Sequence, residues 1–75
     1  METDLSCLAP GESGIVTEIH TEDDLRARLY AFGFIPGTRV SCCYRSPEKR
    51  VTALNFRGTV VAMRTRDLAL IRVRR

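Results

Sequence analysis

Histidine occurs once in this chain, at position 20, and cysteine three times, at positions 7, 42 and 43. There is no Cys-x-x-Cys pair, no second histidine and so no His-x-x-x-His, and no spacing preorganises a tetrahedral metal site. Cys42 and Cys43 are neighbours on a predicted strand, so they point to opposite faces and cannot readily hold one ion together. An odd number of thiols, two of them adjacent, is also a poor disulfide framework, and reduced thiols in a cytosolic setting fit better. No metal site and no cofactor are therefore assigned. Cys42 is expected inside as a small apolar side chain, and Cys43 as a partly exposed thiol. Absent too are a phosphate-binding Gly-x-x-x-x-Gly-Lys loop, a nucleophile elbow and a helical His-Glu-x-x-His, which leaves no catalytic constellation. No run approaches the roughly 18 apolar residues of a membrane span. The acidic start is unlike the basic and apolar regions of a signal peptide, so the expected location is cytoplasmic. Seventy-five residues make one domain, 1–75, near the lower limit for a self-sufficient core. A chain this short rarely builds a deep substrate cavity as well, which favours a binding module over an enzyme.

Lysine and arginine are missing from residues 1–24, which hold seven acids. Residues 25–75 hold all twelve bases and only Glu48 and Asp67, so the two segments carry −7 and +10. In a compact fold they interleave and neutralise much of this asymmetry, and any surplus positive face steers the protein towards an acidic partner or an anionic membrane surface. Aromatic residues number five: Tyr30, Phe32, Phe34, Tyr44 and Phe56. Several are needed inside, and the bases are scattered over several strands. A stacking platform for nucleic acid is therefore not expected.

What is present is strong local punctuation. Leu5 and Leu8 are anchors in a short lead-in, and Pro10-Gly11 turns the chain into a strand over Gly14–Ile19, with Ile15, Thr17 and Ile19 on one face and Val16 and Glu18 on the other. A helix over Glu22–Phe32 follows, with Thr21 as N-cap, acids in its first turn and Leu25, Leu29 and Phe32 on one packing stripe. Glu22 with Arg26 and Asp24 with Arg28 are i,i+4 pairs in the favourable orientation. Gly33 stops the helix and Pro36-Gly37 makes a type II turn. Arg39–Arg45 forms the second strand, placing Val40, Cys42 and Tyr44 opposite to Ser41, Cys43 and Arg45. After the polar loop Ser46–Lys49, strands over Val51–Phe56 and Thr59–Thr65 are joined by Arg57-Gly58 as a hairpin. Arg66–Ala69 is short enough for a single 3₁₀ turn, and a last strand puts Ile71 and Val73 inward. Periodicity alone yields a small, mainly β domain with one helix.

The helix, glycine stop and Pro-Gly turn, with Leu8, Pro10-Gly11 and Gly14 before them, form an ordered set. Arg28-Leu29, Gly33, Pro36-Gly37, Val40, Arg57-Gly58-Thr59, Met63-Arg64 and Arg66–Val73 continue it. In order and spacing this set resembles the FeoA family, small accessory proteins of bacterial ferrous-iron uptake, over about Leu5 to Val73. The resemblance implies an SH3-like β-barrel of about five strands, with one helix inserted after the first and a 3₁₀ turn before the last. It further implies a cytosolic accessory that docks on the cytoplasmic GTPase-bearing region of the membrane ferrous-iron transporter, FeoB, without chelating iron. One departure is local. Many members carry Gly-Asp-Pro before the third strand, where this chain has Pro47-Glu48-Lys49-Arg50.

Two surfaces are candidates for that partner. One is the helix end, where Tyr30, Phe34 and Ile35, if exposed beside Arg26 and Arg28, make an apolar patch with a basic rim. The alternative for Phe34 and Ile35 is that they plug the end of the barrel. The other surface is the basic loop formed by Arg45, Lys49 and Arg50, any of which would suit a mobile arginine or lysine offered to a GTPase. Three rivals stay open: a free-standing relative of the C-terminal domain of iron-dependent repressors, a GTPase-activating factor, and a nucleic-acid binder. Weak self-association is also left open.

Overall fold

A computed structural model covers residues 1–75. The chain runs β1 (Glu2–Asp4), a 3₁₀ turn (Leu5–Cys7), β2 (Ser13–Ile19), α1 (Asp23–Ala31), β3 (Arg39–Arg45), β4 (Val51–Phe56), β5 (Thr59–Arg64), α2 (Thr65–Leu68) and β6 (Ile71–Arg74). All strand pairs are antiparallel, in the order β1-β6-β2-β3-β4-β5. The mainly β class with α1 inserted between strands is as expected, but three details are corrected. Six strands replace five, because Glu2–Asp4 pairs with β6, setting Thr3 opposite Val73. The barrel is not closed: β1 and β5 are opposite edges with no ladder between them. Instead α2 packs on β5 and on the 3₁₀ turn, so fully buried Leu5, Leu8 and Leu68 join the two ends by side chains. The 3₁₀ turn expected at Arg66–Ala69 is the short α-helix α2.

Two bulges decide which side chains enter the core. In β2 the register against β6 shifts between Val16 and Glu18, which brings Ile19 to the buried face of Val16 and leaves Ile15 only half-buried. A bulge adds one residue to one strand, so every later side chain changes face. In β3 the register against β4 shifts between Cys42 and Tyr44. Val40 and Cys42 are buried and Cys43 is exposed, as expected. Tyr44, expected on the same face as Val40, is instead 58% exposed.

Helix α1 carries Asp23 and Asp24 at its positive end. Thr21 is not its cap: Glu22 holds that position without a side-chain bond, while the Thr21 hydroxyl is buried and unpartnered. Arg26 pairs with Asp23 at 2.7 Å rather than with Glu22, and Arg28 has no carboxylate partner. The helix ends in a Schellman motif. Phe34 N–H donates to the Leu29 carbonyl at 2.9 Å and Gly33 N–H to that of Tyr30 at 3.0 Å, with Gly33 at φ +85°. This reversal drives Phe34 into the core, edge-on to Phe56 at 5.0 Å, and leaves Phe32, expected on the packing stripe, 65% exposed. Leu29 is buried and Leu25 half-buried. The Pro36-Gly37 turn forms as expected, with Thr38 N–H donating to the Ile35 carbonyl at 3.0 Å and Gly37 at φ +97°. No helix is long and apolar enough to cross a membrane.

Candidate docking groove

The β4–β5 hairpin turns on Arg57 and Gly58, both at positive φ (54° and 76°), as the type I′ loop that matches strand twist requires. That turn carries β5 up beside α1. Between helix and strand lies a groove of about 270 Å³, floored by Leu29, Phe56, Val61 and Met63 and walled by Phe32. Arg28, Arg64 and Asp67 form its rim. Arg64 donates from Nε to Asp67 Oδ2 at 3.0 Å, so Arg28 is the rim cation without a carboxylate. An exposed aromatic over an apolar floor with a cationic edge is the composition of a protein-binding surface.

The expected helix-end patch is not assembled as read. Phe34 is fully buried, the plug alternative, and Ile35 is half-buried in the turn. Tyr30 is 48% exposed but does not line the groove, and Arg26 is engaged by Asp23. The aromatic at this site is Phe32, whose signal was available: a Gly at C′ sends the following residue, not the preceding one, against the helix.

The proline loop divides. Arg45 is not mobile, because the β3 bulge turns it inward. Its Nη2 donates to the carbonyls of Ser6 (2.8 Å) and Leu8 (2.6 Å), and its Nε to Thr52 Oγ1 (3.4 Å). Lys49 and Arg50 remain exposed, in a turn whose Ser46 hydroxyl accepts from Arg50 N–H at 3.1 Å and Val51 N–H at 3.2 Å. With Arg64, Arg66, Ser6 and Thr65 they border a second, broad basic cleft on the side of α2. Arg64 and Arg66 were not singled out from sequence, since nothing in their spacing shows that α2 folds them towards the loop.

The candidate ligands for metal lie apart. Cys7 and Cys43 are exposed, Cys42 is buried, His20 sits against Glu18 at 2.6 Å, and no three His, Cys, Asp or Glu side chains gather. Burial pushes the Cys42 thiol above its ordinary pKa, against the opposing charge of Arg45, and so keeps it protonated at neutral pH.

No curated protein matches the chain. Among solved structures, FeoA from Chlorobium tepidum superposes with a TM-score of 0.92 at 26% identity, covering 96% of this chain and 69% of that one. A Stenotrophomonas maltophilia FeoA in complex with zinc, described as a prokaryotic SH3 domain protein, gives 0.77 at 24% identity over 95% of this chain and 88% of that one. A manganese-dependent transcriptional repressor gives 0.86 at 15% identity, with 97% of this chain covering 41% of the repressor. At these last two identities the likeness is one of fold, and the fold is SH3-like. The FeoA domain model matches residues 3–75, and on that match the chain belongs to the FeoA domain family.

Proposed function

We propose that this protein is a cytoplasmic, non-enzymatic accessory of ferrous-iron uptake that docks on the cytoplasmic GTPase-bearing region of the membrane ferrous-iron transporter, FeoB. Family membership supports the link to ferrous-iron transport, and the α1–β5 groove supports docking as the mode of action. The observation that carries the reading is Phe32, 65% exposed at the wall of an apolar groove where its helical spacing would have buried it. An aromatic mostly in water beside an unpaired Arg28 gains little from folding, and aromatic and arginine side chains are enriched at interfaces.

The test is equilibrium binding of the purified transporter GTPase region to the wild-type protein and to Phe32→Asp. Docking through the groove predicts a loss of tenfold or more, about 1.4 kcal/mol, for the variant. Tyr44→Asp, exposed on a strand that lines neither concavity, should bind as wild type. Equal affinity of the Phe32 variant would remove the groove from the docking surface.

A further inference from the structure

Backbone pairing in the hairpin shows what β5 leaves unused. Thr65 N–H donates to the Arg50 carbonyl at 2.8 Å, which fixes the phase of the ladder. Thr59, Val61 and Met63, opposite Phe56, Leu54 and Thr52, therefore bond to β4, whereas Val60, Ala62 and Arg64 turn their N–H and C=O groups away from it. Nothing else takes those groups of Val60 and Ala62, or the Arg64 N–H, because β5 is the edge of the sheet and no turn, loop or cap bond reaches them; the Arg64 carbonyl alone is used, as the N-cap of α2. Exposed edges are usually blunted by brevity, proline, bulges or charge. The far edge, β1, is blunted by being three residues long. In contrast β5 has six residues, no proline and no register shift, and Val60, its second residue, is 61% exposed.

We infer that β5 is a strand acceptor, to which an extended, acid-flanked segment of the docking partner adds as a seventh strand. The partner's identity rests on the docking reading above; the acceptor edge rests on the ladder. Residues of the added strand opposite Val61 and Met63 share their face and enter the groove under α1, so they must be apolar and two apart. Arg64 and Arg66 lie at one end of the edge, Arg57 is in the turn at the other, and Arg28 is beside the groove; the one carboxylate bridged to any of these cations is Asp67, bonded to Arg64. Acidic ends are the complement to such an edge. A second copy of this chain is the poorer occupant, because it would set one arginine-flanked strand against another.

Residue-resolved amide exchange tests this with two probes, the transporter's GTPase region and a blocked hexapeptide, Asp-Val-Thr-Val-Thr-Asp. Strand addition predicts that saturation with either slows exchange at Val60, Ala62 and Arg64 at least tenfold, while Thr59, Val61 and Met63 are already slow. Ala62→Pro deletes one outward N–H and no bond to β4, so it should fold and bind tenfold or more weakly. If that variant does not fold, the exchange pattern alone decides. Binding of the GTPase region with protection confined to other amides overturns strand addition and leaves docking intact. Protection by the hexapeptide with no binding of the GTPase region keeps the acceptor edge and overturns the docking reading. No protection by either probe overturns the inference, and so does protection that rises with protein concentration alone, which would make the occupant a second copy.

Discussion

Arg57 holds a left-handed backbone, φ 54°, that costs a side chain with a Cβ about 1–2 kcal/mol. What the strain secures is a cation at the end of a helix. A Cβ built on Gly33, the residue after the α1 cap, would lie 3.4 Å from Arg57 Nε, so the guanidinium crosses the helix's negative terminus. Such a contact at an exposed site is worth about 0.3–1 kcal/mol and is screened by salt. Strain therefore outweighs contact. Arg57→Asn, the residue most at ease beside Gly in a type I′ turn, should stabilise the protein by about 0.5 kcal/mol. Urea unfolding should show the gain growing in high salt, where wild type loses its helix-end attraction. A loss of stability at low salt would mean that the arginine is worth more to the helix than its backbone costs.

At the scale of elements, Arg45 is the tie across the open side of the sheet. It reaches from β3 to the carbonyls of Ser6 and Leu8, at and just after the 3₁₀ turn, and no other side chain donates to them. Arg45→Lys keeps the charge but cannot span Ser6, Leu8 and Thr52 together, and should lower stability by about 2 kcal/mol in urea unfolding. Binding through the groove should be unchanged for the folded fraction, since Arg45 does not line it. This role was illegible in the sequence for a definite reason. Alternation in Arg39–Arg45 put Arg45 outside, and the bulge that turns it in is set by how β3 pairs with β4, not by the pattern of either strand. The same holds for Ile19 in β2. Three-residue β1 carries too few positions for a period to show. By contrast the hairpin, the Pro-Gly turn and the glycine stop were readable, because each depends on residues adjacent in the chain. Phe32 keeps the side of Leu25 and Leu29, and it was misplaced because no other element covers the stripe at that end.

For the molecule as a whole, the polarised charge of the chain is folded back on itself. The acids of the first 24 residues meet bases from the far end: Glu12 pairs with Arg75, and Glu2 lies 4.0 Å from Arg72. Glu12 also accepts the Ala9 N–H at 2.8 Å, and its own carbonyl accepts Cys42 N–H at 2.9 Å, so one residue ties the Pro10-Gly11 turn, β3 and the chain end together. The Ala9 N–H foremost, then the hydrogen bond and charge of Arg75, hold the Glu12 carboxyl below its ordinary pKa. A carboxyl whose pKa is lower folded than unfolded binds fewer protons in the native state. Its contribution is therefore full at neutral pH, above the unfolded value, and disappears as pH falls through the folded value. Glu12→Gln keeps an acceptor for Ala9 but removes the charge facing Arg75. Thermal melts from neutral pH down into the acid range should show wild type melting higher at neutral pH and the two curves converging below the Glu12 pKa. A difference in Tm that persists unchanged into strong acid would show that the carboxylate charge does not join the two ends of the chain.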